Sequence, residues 1–278
     1  MPIIVNMDFN KYNYFYINGS SHCEGGGLEE ADLRGFGVHD LYKKLYNVSW
    51  KNREEVNFGY RLSKLINVKC INESKSGAGV QRIVRMTYDF IEKNWKNKNK
   101  FFIILDRPDP TRCDVFLNKT NEYYIVNSQT DGDIYELAGA TRDYFNPKIL
   151  KEDLEYKDIF LNWHKNHFNI QANLKNDEYA LAGLYSFCKF NNIKIFLMQK
   201  NWLHLTTTFD KEDIIKFSNT KESDDIYNYC LRNKLTITDE LKGELTGYED
   251  LHPGYFGHIE YAKELAKYLT NIHETKLI

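Results

Sequence analysis

Apolar positions along this chain switch repeatedly between runs of strand character and stripes at helical spacing. Residues 12–18 (YNYFYIN) form a short aromatic and β-branched run that stops at Gly19 and predicts a first strand. Residues 54–66 carry Val56, Gly59, Leu62, Ser63 and Ile66 at helical spacing, and residues 67–71 read as a second strand. Val80, Ile83, Val84, Thr87, Ile91 and Trp95 place one stripe on a long helix, with Arg82 and Arg85 on other faces. Residues 101–105 (FFIIL) are continuously apolar, the pattern of a strand buried on both faces. A helix follows over 178–190, its face formed by Ala180, Leu181, Leu184, Phe187 and Cys188. Asn191 and Asn192 break it before another buried strand at 193–198. The last helix runs from His258 to about Ile272 through Ala262, Leu265, Ala266 and Leu269.

This alternation predicts an α/β domain with a mainly parallel sheet, right-handed crossovers and helices on both faces. Ligands in such sheets sit beyond the carboxyl ends of the strands. Gly19, residues 72–79 and residues 106–112 all follow strands and therefore fall on that edge. Two stretches interrupt the alternation, at about 115–176 and 206–249, the second with an acidic patch from Glu222 to Asp225. They read as insertions in a single domain spanning 1–278, either a lid or a surface for a protein partner.

Composition narrows the function classes. With 278 residues, 42% of them apolar, the chain can bury a substantial core. A net charge of −2 gives no electrostatic reason to expect nucleic acid or an anionic membrane surface. Apolar stretches fall far short of the ~20 residues a membrane span needs. Ile3, Ile4 and Val5 lack the basic run and cleavage site of a secretory signal, which points to a cytoplasmic protein. Cys23, Cys70, Cys113, Cys188 and Cys230 are odd in number and widely spaced, the usage of reduced thiols rather than of disulfides or a zinc knuckle.

The chemistry gathers at the two chain ends. Gly19-Ser20-Ser21-His22 follows the first strand, and Tyr248-Glu249-Asp250-Leu251-His252-Pro253 precedes the last helix. A serine hydroxyl needs an adjacent general base, and an imidazole needs a carboxylate to fix its tautomer. Ser21, His252 and either Asp250 or Glu249 supply that set; Asp250 is preferred because a short side chain in a turn is more easily held rigid.

In these blocks the chain resembles the SGNH (GDSL-like) hydrolase superfamily over nearly its whole length. Gly19-Ser20-Ser21 matches the first block, with Ser21 as nucleophile. Residues 72–79 (NESKSGAG) are similar to the second, with Gly77 as the oxyanion glycine, and residues 249–253 to the last. The resemblance implies a flavodoxin-like three-layer α/β/α sandwich and a cofactor-free serine esterase. Its substrate would be a small acylated molecule, such as an O-acetyl carbohydrate or a lipid ester. Amides of Ser21 and Gly77 would then receive the oxyanion, each donor worth roughly 3 kcal/mol. The third-block Gly-x-Asn-Asp is absent; residues 110–114 (PTRCD) look like the Pro-Thr-Arg-x-acid motif of divergent phage and bacterial members, which offers Arg112 or Thr111 as donor. His22, beside the nucleophile, would line the pocket.

Each residue also has a plain structural reading. Ser21 fits helix capping, His252 a capping or surface role, Gly77 an ordinary turn, and Arg112 an ion pair with Asp106, Asp109 or Asp114. Those three aspartates read as turn residues in preference to a magnesium site, and His164 and His167 as an exposed face in preference to zinc ligands. Asp131-Gly132-Asp133 reads as a turn. Two other functions stay open: a catalytically silent binding or structural protein, virion-associated for example, and acyl transfer by the same residues.

Overall fold

The computed structural model describes residues 7–26, 28, 37–108, 112–117, 122–131, 134–142, 166, 168–198, 209–215, 217, 225–242, 244 and 250–270. Among them the strands are β1 (Tyr14–Asn18), β2 (Lys69–Asn72), β3 (Phe101–Asp106), β4 (Arg112–Leu117), β5 (Glu122–Asp131), β6 (Ile134–Arg142), β7 (Lys194–Met198) and β8 (Ile214–Ile215). The chain divides into two compact units. One comprises Met1–Ser76, Asn94–Arg107 and Cys188–Ile278; the other comprises Gly77–Lys93 and Pro108–Phe187.

The first unit is α/β, with a five-stranded sheet ordered β2-β1-β3-β7-β8, every pair parallel and flanked by helices. Strand β3 is buried at every position, as its unbroken apolar run requires. On one face Phe15, Ile17, Phe102, Ile104, Phe196 and Met198 pack with three helices. Helix α3 (Phe58–Ile66) contributes Phe58, Leu62 and Ile66, and α6 (Ile226–Asn233) contributes Ile226 and Cys230. Tyr261, Ala262, Leu265 and Leu269 come from α8 (Tyr255–Thr270). The alternate residues Tyr16, Ile103, Leu105, Ile195 and Leu197 are buried too, so both faces are covered. Each such apolar side chain contributes roughly 1.5–3 kcal/mol.

Helix ends follow local chemistry. Asn57 caps α3 by accepting from the Tyr60 N–H at 2.9 Å, and Asn67 ends it in the left-handed conformation. Asp225 opens α6 in the same way, accepting from the Asn228 N–H. A smaller cluster holds Val38 and Tyr42 of α2 (Val38–Tyr46) against Leu28, Trp50, Val56, Ile237 and Leu241.

In the second unit β4, β5 and β6 form an antiparallel meander. It also holds α4 (Val80–Lys93) and most of α5 (Ile170–Phe190). Gly79 lies so close to the β4 backbone that a Cβ there would sit 2.6 Å from the Arg112 carbonyl oxygen.

Several expectations shift in detail. Helix α4 stops at Lys93 because Asn94 leaves helical geometry; Trp95 falls in a 3-10 segment and is 42% exposed, while Arg82 is buried. Helix α5 begins at Ile170, eight residues before the apolar stripe signals it. Its first turns bury Asn173 and Asp177, which accept from the Gln81 side chain at 2.9 and 2.6 Å, so a polar surface conceals a packed helix face. The meander occupies part of the 115–176 stretch, and β8, α6 and the short α7 (Ile237–Glu240) part of 206–249. No helix among the described residues is long and apolar enough to cross a membrane.

Candidate active site

Strand β1 leads into the turn that carries Ser21. Gly19 has no room for a side chain: a Cβ would lie 2.6 Å from Asp106 Cβ and 3.0 Å from Cys23 Sγ. Ser20, not Ser21, takes the helix N-cap position, yet its hydroxyl makes no cap and donates to Asp106 Oδ2 at 2.9 Å. Ser21 is thereby the first residue of α1 (Ser21–Glu24), buried, with a first-turn N–H that has no helical acceptor. Gly25, at φ +91°, ends that single turn.

The segment bearing the histidine is built by hydrogen bonds to the chain around α7. Thr236 opens α7 with a capping box to Asp239. The Thr238 N–H donates to the Asp250 carbonyl at 3.1 Å, the Ile237 N–H to the His252 carbonyl at 2.9 Å, and the Gly254 N–H to the Leu235 carbonyl at 2.8 Å. The Asp250 N–H in turn donates to Thr238 Oγ1 at 2.7 Å. The Asp250 carboxylate also accepts from the His252 N–H two residues on, at 3.0 Å, the local bond of an Asx turn.

These two segments meet. His252 Nε2 lies 3.2 Å from Ser21 Oγ, and His252 Nδ1 lies 2.7 Å from Asp250 Oδ1. With Nδ1–H donating to the buried carboxylate, Nε2 is left to accept from the serine hydroxyl. Ser21 and Asp250 are buried, whereas the His252 side chain is 28% exposed. His22 stacks on Tyr227 of α6 at 4.6 Å between ring centroids and tilts against the His252 ring at 5.3 Å.

Residues 72–76 run beside the turn: Lys75 N–H donates to the Gly19 carbonyl at 3.0 Å and Ser76 N–H to Glu24 Oε2 at 2.6 Å. Gly77 has φ +80°, a conformation that favours glycine, and begins the second unit. Arg112 is the first residue of β4, also in the second unit, where Asp114 is paired with Arg85 at 2.9 Å. Glu249, Asp109, Thr111, His164 and His167 fall outside the described residues, as do Gly132 and Asp133; Asp131 pairs with Ile134 at the end of the β5–β6 hairpin. No group of three metal-ligating side chains gathers among the described residues.

Three contributors escape a reading of the sequence. Gly26 sits on the pair itself: a Cβ there would lie 2.9 Å from Ser21 Cβ and 3.2 Å from His252 Cδ2. Its only signal was the run Gly25-Gly26-Gly27. Glu240, at the end of α7, accepts from Tyr42 Oη at 2.6 Å and from the N–H groups of Phe256 and Gly257 at 3.1 and 2.7 Å, anchoring the start of α8 directly after His252. Burial pushes its carboxyl up to about 7. His258, in the first turn of α8, accepts from the Phe58 N–H at 3.1 Å and is pushed down to about 3 by burial, then by the nearby Arg61 and His252. The thiols of Cys70, Cys113 and Cys188 are pushed up to about 12 by burial, which removes them as nucleophiles at neutral pH.

No family model matches this chain. A search of curated proteins likewise gives no significant match.

Proposed function

We propose that this protein is a serine ester hydrolase of the SGNH type, working through Ser21, His252 and Asp250. The observation that carries the reading is the continuous relay from Ser21 Oγ through the His252 ring to Asp250, 3.2 and 2.7 Å in its two links, the first of which joins residues 231 positions apart. His252 takes the hydroxyl proton as Ser21 attacks the ester carbonyl, and Asp250 stabilises the imidazolium that results. The same imidazolium then protonates the departing alkoxide, and water repeats the sequence to release the acid. The first-turn N–H of Ser21 supplies one donor to the developing oxyanion. Parallel strands in the order β2-β1-β3-β7-β8 support a flavodoxin-like sandwich, and the relay stands beyond the carboxyl end of β1, beside the central strand β3. The substrate class is a small ester, an O-acetylated carbohydrate being the case that the family resemblance favours.

A fluorophosphonate probe tests the reading. It is expected to label Ser21 of the wild type, and S21A is expected to lose both labelling and turnover of short-chain p-nitrophenyl esters. Turnover retained in S21A rejects the assignment. A folded wild type that stays unlabelled favours a silent binding protein on the same scaffold.

A further inference from the structure

Asp106 closes strand β3 and is buried to 1% exposure, yet the relay makes no use of it. Its Oδ2 accepts the Ser20 hydroxyl at 2.9 Å and lies 3.4 Å from the Ser20 backbone nitrogen. The neighbouring turn is shaped to admit it: any side chain at Gly19 would meet Asp106 Cβ at 2.6 Å and Oδ2 at 3.2 Å. Ser20 holds the N-cap position with extended backbone, where a serine hydroxyl ordinarily turns inward to cap the helix. Here it turns away, to a different strand.

We infer that Asp106 and Ser20 are positioning residues for the nucleophile, a carboxylate brace on the turn that carries Ser21. The inference rests on the esterase reading above. Helix α1 is a single turn of four residues, ended by a left-handed glycine, and such a turn has little rigidity of its own. Without the brace the turn loses its side-chain tie to β3, and Ser21 Oγ is no longer held within reach of His252 Nε2. A buried carboxylate accepting a hydroxyl is a charge-assisted bond, stronger than the neutral cap it displaces. The brace therefore acts through Ser21 and touches no substrate.

The test compares S20A, D106N and D106A with the wild type in two readouts. One is the second-order rate of fluorophosphonate labelling at Ser21 per folded molecule; the other is the split of ester turnover between kcat and KM. S20A is expected to lower labelling and kcat by about tenfold or more with KM nearly unchanged, since small displacements of a reacting atom carry such penalties. D106N keeps an oxygen acceptor for the Ser20 hydroxyl and is expected to stay within about threefold of the wild type. D106A is expected to match S20A in labelling, and S20A/D106A to be no slower than the worse single variant. Thermal unfolding separates folded from unfolded material, and S20A, which loses one oxygen atom, keeps the test intact should D106A not fold. Wild-type labelling rates in S20A, whatever its Tm, overturn the brace while leaving the esterase reading in place. A wild type inert to the probe overturns both.

Discussion

Gly26 shows how little space the relay leaves around itself. A methyl group at that position would press on Ser21 Cβ at 2.9 Å and on the His252 ring at 3.2 Å, both within the proposed nucleophile–base pair. Its backbone does not demand glycine, so a substitution acts through crowding rather than through strained dihedrals. G26A is expected to lower kcat by about 10- to 100-fold with a modest change in KM, because proton transfer is sensitive to displacements of well under 1 Å. Steady-state kinetics on a p-nitrophenyl ester checks this; unchanged kcat would mean that the ring moves aside freely. The same scale explains why Asp250 rather than a longer acid reaches the histidine within two residues. Its carboxylate holds the His252 N–H and Nδ1 together, at 3.0 and 2.7 Å.

At the scale of elements, the join between α7 and α8 sets where His252 stands. Glu240 binds the open N–H groups of Phe256 and Gly257 at the start of α8, at 3.1 and 2.7 Å. Gly254 makes this possible, since a Cβ there would lie 2.2 Å from the Glu240 carboxyl carbon. G254A is expected to destabilise the protein by about 2 kcal/mol through overpacking. In combination with E240A the loss is expected to be smaller than the sum of the two, because truncating Glu240 opens the space. Urea unfolding of the two single variants and the double variant measures this; strict additivity would show that the contact is not tight in solution.

At the scale of the whole molecule, two buried titratable groups shape stability against pH in opposite senses. The Glu240 carboxyl is raised from 4.5 to about 7, so its contribution is fully present below 4.5 and is lost as pH rises through 7, roughly 3 kcal/mol in all. The His258 imidazole is lowered from 6.5 to about 3, so its contribution is present above 6.5 and is lost as pH falls toward 3, roughly 5 kcal/mol in all. Between 4.5 and 6.5 the two slopes oppose each other. Below 4.5 only the histidine acts, and the loss becomes steep. H258Q keeps an acceptor for the Phe58 N–H and is expected to lose roughly 3 kcal/mol less than the wild type between pH 6.5 and 4. E240Q is expected to lose less than the wild type between pH 5 and 8 by a similar amount. Urea titrations across this range decide it; curves parallel to the wild type in both variants would show that neither group carries the linkage.

Periodicity made the parallel core legible, because β3 and β7 are continuous apolar runs and α3 and α8 carry clean stripes. It missed the first turns of α5, where buried Asn173 and Asp177 satisfy each other's surroundings through Gln81 and so look like surface. It missed the strand identity of β8, two residues long, whose existence depends on the neighbour it pairs with. Ser21, His252 and Asp250 were legible as residue types in suggestive local order, since turn-forming and acid-base chemistry is written in the side chains themselves. Whether a hydroxyl and an imidazole 231 positions apart share a proton was not, nor was the space that Gly26 keeps clear or the bond that turns Ser20 toward Asp106. Those are distances between segments with no sequence proximity, fixed only when burial of both sheet faces brings the chain ends together.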